Sequence, residues 1–281
     1  MFGLYWLYAL YSDEKCGGYS VYIVAKGIMR QKKMENVTRR ILLVVAYDGT
    51  NYHGWQAQDN ADTIEGELNK ALSSLLKTEV EVIGASRTDA GVHGMCNLAV
   101  FDTTMNIPPE KYAYALNQML PADIVIRQSK EVEADFHPRK RKISKTYRYA
   151  IHSEEFPNPL KTRYSCFTYH KLDVDLMSQG SQYLLGEHDY TSFCSVNGTA
   201  LTNVRTIDRI NIISQGQDIF IDVTGNGFLY NMVRIIAGTL MEVGKGKISP
   251  ERIKDILEAK DRTKAGPTAP ACGLTLVDIE Y

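Results

Sequence analysis

The sequence predicts an α+β fold: two ferredoxin-like α/β halves that share one continuous, mainly antiparallel sheet with a central cleft. Three observations predict it. The first half reads strand, helix, strand, strand, helix, strand, which is the ferredoxin-like order. The second half gives a similar, less regular succession. The chain has 281 residues, 44% hydrophobic and 23% charged, which is enough for a sizeable two-part core.

Each element has its own signal. Residues 39–47 are β-branched and apolar, so a strand, and Asp48-Gly49 ends it with a turn. Asp62-Thr63-Ile64-Glu65 reads as a capping box. It opens a helix with apolar residues at 64, 68, 71, 72, 75 and 76, one face at helical spacing. Strands are expected over 79–85 and 97–101. A second helix is expected from Pro108-Pro109 to 120, and a strand over 123–132. In the second half a Tyr-rich strand covers 144–152 and a helix covers 174–185. Strands 204–214 and 218–224 form a hairpin around Gln215-Gly216-Gln217. A long helix over 228–243 carries the stripe Leu229, Met232, Val233, Ile236, Leu240 and Val243. A shorter helix at 250–259 and a strand at 273–280 complete the chain.

The resulting division is an N-terminal half at 34–135 and a C-terminal half at 136–281. Residues 1–33 are an atypical extension, expected to be disordered or outside the functional fold. They are read either as an appendage or as an upstream reading of the gene start. Their first eleven residues are apolar and aromatic, but a bilayer span takes about 20 apolar residues. They also lack the basic region of a secretory signal. No membrane association is expected.

The formal net charge is −1, so the chain is no polycation. Charge is nevertheless concentrated: Arg139, Lys140, Arg141, Lys142, Lys145 and Arg148 fall between 137 and 153 with no acid among them. That run reads either as a solvated surface loop or as a surface for an anionic partner. The five cysteines, at 16, 96, 166, 194 and 272, form no C-x-x-C pair, and their number is odd. Neither a zinc site nor a disulfide framework is indicated, and reduced thiols fit a cytoplasmic protein.

Chemistry concentrates in Ser86-Arg87-Thr88-Asp89-Ala90-Gly91-Val92-His93-Gly94, a loop between two strand-like runs. The loop reads as a polar turn or as a carboxylate presented by a rigid scaffold. A carboxylate can serve as nucleophile, general base or metal ligand. His93 alone is too little for a metal site. Arg87 keeps Asp89 ionised where the two side chains approach. In Lys145-Thr146-Tyr147-Arg148-Tyr149, alternation puts Tyr147 and Tyr149 on one strand face and Arg148 on the other. This is ordinary core packing, or base stacking beside phosphate contacts. Gly225 to Arg234 turns into a helix, with Arg234 in its second turn: an exposed helix Arg, or a partner for a carboxylate or phosphate. Gly244-Lys245-Gly246-Lys247 lacks the spacing of a phosphate-binding loop and reads as a helix stop. Nothing near Cys96 in sequence activates it as a nucleophile.

Taken in order, these motifs resemble the tRNA pseudouridine synthase A family. The match runs through the opening motif Tyr47 to Gln56, then Arg87-Thr88-Asp89-Ala90-Gly91-Val92-His93 and Lys145-Thr146-Tyr147-Arg148-Tyr149. It continues with Gly227 to Arg234 and Ala269-Pro270-Ala271-Cys272-Gly273-Leu274. It covers about 39–281 and leaves out the first 33 or so residues.

The resemblance implies a pseudouridine synthase fold and conversion of uridine to pseudouridine at positions 38, 39 and 40 of the tRNA anticodon stem-loop. It implies a homodimer sharing one tRNA, no cofactor and no metal. It makes Asp89 the essential carboxylate, acting on the sugar C1′, on the base or on a sugar proton. Arg87 assists base flipping and Arg234 pairs with Asp89. Tyr147 stacks on the uracil and helps to remove the C5 proton, a base role that needs help from its surroundings. Arg139, Lys140, Arg141, Lys142 and Lys145 become phosphate contacts. Two other classes compete: a non-catalytic RNA-binding protein, which gives Asp89 no task, and a nucleoside hydrolase, which has no need of the basic and aromatic run.

Overall fold

The computed structural model describes the backbone of residues 10–12, 19–25 and 28–33, and residues 38–139, 143–196, 198 and 200–281. In the extension, β1 (Leu10–Ser12), β2 (Tyr19–Ala25) and β3 (Ile28–Lys33) form a small antiparallel sheet of their own, where the sequence shows no clear periodicity.

The first half contains β4 (Arg39–Tyr47), α1 (Ile64–Leu76), β5 (Ile83–Gly84), β6 (His93–Thr103), α2 (Lys111–Leu116) and β7 (Ile124–Val132). In space the strands run β7-β4-β6-β5, each antiparallel to its neighbour. The second half contains β8 (Ser144–Ser153), β9 (Cys166–Thr168), α3 (Val174–Ser181), β10 (Gly186–Asp189), β11 (Val204–Gln215), β12 (Asp218–Gly225), α4 (Met232–Gly244), α5 (Arg252–Ala259) and β13 (Leu274–Glu280). Its strands run β13-β8-β12-β11, again antiparallel, with β10 added beyond β11 and β9 beside β8.

The two halves therefore repeat one strand order, as the sequence predicts. They join where β13 meets β6 in parallel, pairing Thr275 with His93 and Leu276 with Gly94. The result is a single ten-stranded sheet. One core packs α1 and α2 against the first half around Trp55 and Tyr112; the other packs α3, α4 and α5 against the second. Among the described residues no helix is long and apolar enough to cross a membrane.

Several boundaries differ from the sequence reading, each for a local reason. The expected strand at 79–85 shrinks to two residues. The Val80 and Val82 amides donate instead to Ser73 and Asn69 on α1, leaving no strand pairing there. The β6 strand starts at His93 rather than 97. The second helix starts at Lys111, past the prolines, and the chain after Leu116 continues only as turns. The helix at 174–185 turns 3₁₀ after Ser181.

The cap of α1 is Thr63, whose hydroxyl accepts from the Gly66 amide at 3.2 Å. Glu65 does not close a capping box; it accepts from the Trp55 indole at 3.3 Å and the Ala57 amide at 2.9 Å. The long helix begins at Met232, not 228, because Asn231 is left-handed at φ 61°. Arg234 therefore lies in the first turn rather than the second.

Candidate active site

The loop between β5 and β6 is held on all sides. At its entry Asn97 clamps Ser86: Asn97 Oδ1 accepts from the Ser86 amide at 3.1 Å, and Asn97 Nδ2 donates to the Ser86 carbonyl at 2.9 Å. Asn97 is fully buried. Its substitution by Leu would strand both backbone groups, which costs about 2–4 kcal/mol. A lowered urea midpoint at unchanged m-value is the expected readout.

In the middle, the Trp55 amide donates to the Thr88 carbonyl at 3.0 Å, and Tyr47 and Thr88 share a hydroxyl hydrogen bond of 2.9 Å. Gly54 lies at φ +94°, and a Cβ there would sit 2.5 Å from the Thr88 oxygen. The opening motif can lie against the Asp89 loop only with glycine at this point. At the exit, His93 Nδ1 is 3.1 Å from both the Gly49 amide and the Asp48 carboxylate, and Nε2 is 3.1 Å from the Arg163 carbonyl. Tyr164 donates to Asp48 at 2.8 Å, tying this end to the second half. A 390 Å³ cavity opens beside this clasp, with Asp48, His93, Met95, Asp123, Val125 and Tyr164 in its wall; Asp89 is not among its lining residues.

Asp89 meets Arg234 across the junction of the halves: Nη1 lies 3.4 Å from Oδ2, and both side chains are largely covered. Arg234 is itself anchored. Its Nε donates to the Ala269 carbonyl at 2.8 Å and its Nη1 to Asn231 Oδ1 at 2.7 Å. The Ala269 carbonyl is available because segment 265–270 lies directly on α4. Gly238 makes room, since a Cβ there would sit 1.9 Å from the Pro267 oxygen. The Thr239 hydroxyl accepts from the Gly266 amide at 2.9 Å. Burial holds the Asp89 carboxyl above its ordinary range, against the pull of the Arg234 guanidinium.

Tyr147, on β8, is buried with its ring edge-on to Phe228 at 5.1 Å. Burial pushes its phenol up to about 12, and the Asp89 charge adds to this. Ser86 Oγ is close enough to pull the phenol back somewhat, yet it is buried and meets no hydrogen-bond geometry. Tyr149, on the same face, donates to the Pro270 carbonyl at 2.8 Å and supports the wall behind Arg234. Three segments far apart in sequence thus place Asp89, Arg234 and Tyr147 together.

Other expectations are redistributed. Arg87 is exposed and does not act on Asp89; Arg234 is the cation that does. Arg139 reaches solvent, but its Nε donates to the Gly84 carbonyl at 2.6 Å. Lys145 is half-buried, its ammonium donating to the Ala85 carbonyl at 2.9 Å. Burial first, and Arg139 second, push that ammonium down to about 8. Arg148, as alternation requires, faces away from Tyr147; it pairs with Asp222 at 2.7 Å and covers Phe220. The basic run is therefore not one uniform patch. Lys140, Arg141 and Lys142 lie outside the described residues. No group of three or more His, Cys, Asp or Glu side chains able to hold a metal occurs among the described residues.

A family model described as tRNA pseudouridine synthase matches residues 43–139 and 181–281, which include Asp89, Arg87, Arg139 and Arg234. The chain belongs to the tRNA pseudouridine synthase family. Curated relatives agree. The tRNA pseudouridine synthase A of Acetivibrio thermocellus is 47% identical over 243 residues, covering 86% of this chain and all of that protein. The enzymes of the same name from Brevibacillus brevis and Thermoanaerobacter sp. are 45% and 46% identical over the same coverage. As a tRNA pseudouridine synthase the chain is an isomerase acting on tRNA, and the double ferredoxin-like sheet is the fold in which it does so.

The sequence reading missed Asn97 and the opening motif's structural task. Asn97 was visible as a polar residue opening an otherwise apolar run, Leu98-Ala99-Val100-Phe101. Ser86 carried no signal beyond being a turn residue.

Proposed function

We propose that this synthase isomerises uridine to pseudouridine at positions 38, 39 and 40 of the tRNA anticodon stem-loop, with Asp89 as its essential carboxylate. The observation that carries the reading is the meeting of Asp89 and Arg234, 145 residues apart, beside the Tyr147 phenol. The net chemistry is an internal exchange. The bond from uracil N1 to C1′ breaks, the base turns, and C5 bonds to C1′. The C5 proton leaves and N1 gains one. The target base is stacked in RNA and must be extruded first.

Asp89 is the anion in reach of such a base, whether it acts at C1′, on the ring or on a sugar proton. Arg234 orients it and favours its charged form. Arg87, exposed two residues away, is assigned by the family resemblance to hold the extruded nucleotide or the space it leaves. The homodimer sharing one tRNA rests on the family resemblance.

Tyr147 is assigned two tasks, stacking on the uracil and accepting the C5 proton. A phenol near 12 is neutral at physiological pH and needs help from a neighbour to act as a base. Tyr147→Phe keeps the ring and removes the hydroxyl. It is expected to lower kcat by about 10²-fold or more, the usual range for a positioned proton-transfer group, at little change in KM. Single-turnover tritium release from tRNA carrying 5-tritiated uridine reads this step. A full rate in Tyr147→Phe would leave the residue a stacking platform only.

A further inference from the structure

Three cations, Arg87, Arg139 and Lys145, gather where β5 runs into the Asp89 loop; like Arg205 and Arg262, whose guanidiniums also donate to backbone carbonyls, they form no ion pair with a described carboxylate. Arg39, Arg40, Arg148, Lys161 and Lys245 each pair with a carboxylate, Glu131, Asp102, Asp222, Asp218 and Glu242 respectively. Arg139 and Lys145 instead donate to two successive backbone carbonyls, Gly84 and Ala85, and Arg87 follows two residues later. Among the described residues none of the three has a carboxylate within ion-pair distance.

They also act on one another. Burial and then Arg87 lower the Arg139 guanidinium, and Arg139 in turn lowers Lys145. Among the described residues, the acid whose field reaches Arg139 is Glu65, and its oxygens are taken by Trp55 and Ala57. Two carbonyls leave spare donors on both Arg139 and Lys145. Uncompensated positive charge at a partly dry surface is a site for an anion.

We propose that Arg87, Arg139 and Lys145 form one cradle for a single RNA phosphodiester beside the extruded uridine. This rests on the functional reading above and specifies which cations hold the backbone at the target. The geometry suits that position. Lys145 is two residues from Tyr147 on the same face of β8, and Arg87 is two residues from Asp89. A phosphate held there sits between the loop that carries the carboxylate and the strand that carries the stacking ring.

The cradle has a pH signature. Lys145 is charged below about 8 and loses its proton above it. Arg139 is the charged group that acts on Lys145; its strand neighbours Gly225 on β12 and Ile279 on β13 are neutral. A bound phosphate favours the ammonium, so RNA binding takes up a proton and weakens as pH rises past 8.

The test is equilibrium binding of an anticodon stem-loop RNA to the full chain, against salt and pH, for wild type, Lys145→Met and Lys145→Arg. Lys145→Met is expected to reduce the slope of log Kd against log salt by about 0.7–0.9, one phosphate contact. Lys145→Arg is expected to keep the wild-type slope and to lose the weakening between pH 7 and 9. Neutralising one linkage next to the target uridine as a methylphosphonate should weaken wild type and leave Lys145→Met unaffected.

Unchanged slope and pH dependence in Lys145→Met would overturn the cradle, because a lysine that only braces the Ala85 carbonyl alters neither. A thermal melt separates misfolding from lost contact: a Lys145→Met that melts like wild type attributes the slope to the contact. These readouts do not require turnover. Phosphate-dependent binding without pseudouridine formation would defeat the functional reading and leave the cradle standing; pseudouridine formation with an unchanged slope would do the reverse.

Discussion

Asp89→Asn is expected to bring pseudouridine formation down by about 10⁴-fold, to the floor of the assay, with tRNA affinity kept within about threefold. Removing a central catalytic carboxylate costs on this scale, and a threefold change in Kd is only about 0.6 kcal/mol. The substitution is nearly isosteric, and an asparagine oxygen can still accept from Arg234 Nη1, so the loop keeps its packing between Trp55 and Arg234. What is lost is the negative charge. Quantitative binding alongside single-turnover kinetics checks both halves of the expectation. Substantial activity in Asp89→Asn would remove the carboxylate from the mechanism.

Arg234→Met has the second large effect, and it is readable as a shift in pH. Burial already raises the Asp89 carboxyl, and Arg234 at 3.4 Å is what restrains it. Methionine keeps the length and apolar stem of the side chain but not the charge. The Asp89 pKa then rises further, because the charge that opposes the effect of burial is gone. Activity requires the ionised form, so it is lost as pH falls through that pKa. The acid limb of the kcat/KM profile therefore moves to higher pH, and activity recovers at alkaline pH.

Arg234→Lys is expected to fall between the two. A point charge can face Asp89 but cannot also hold the Ala269 carbonyl and Asn231 in the fork that orients Arg234. A profile for Arg234→Met that drops uniformly, with no displacement of its acid limb, would contradict this coupling.

The fold was legible because its signals are periodic and local. The face of α1 at 64, 68, 71, 72 and 76 is buried as its spacing requires, and the two halves repeat one strand order. The errors lie where side chains compete with the backbone. Ser73 and Asn69 take the Val80 and Val82 amides, so alternation at 79–85 did not make a long strand. Asn231 turned left-handed and moved Arg234 one turn nearer the helix start.

At the site, Asp89, Tyr147 and Arg234 each lie in a recognisable motif, but their meeting is a tertiary fact. No spacing in sequence says that Arg234 rather than Arg87 faces Asp89. That choice depends on segment 265–270 lying over Gly238 and presenting the Ala269 carbonyl. The division of the basic residues between carbonyl-bound Arg139 and Lys145 and carboxylate-bound Arg148 is likewise set by strand faces and by β5.

Rearranging a uridine within tRNA leaves different products from binding it or cleaving it, so product analysis distinguishes the three. Unmodified tRNA is incubated with the purified wild-type protein, digested to nucleosides, and assayed for pseudouridine and for free uracil, with the modified positions mapped. The expected result is pseudouridine in the anticodon stem-loop at positions 38 to 40, in amounts equal to the uridine lost, with no free base. Free uracil, or intact uridine despite tight tRNA binding, would contradict it.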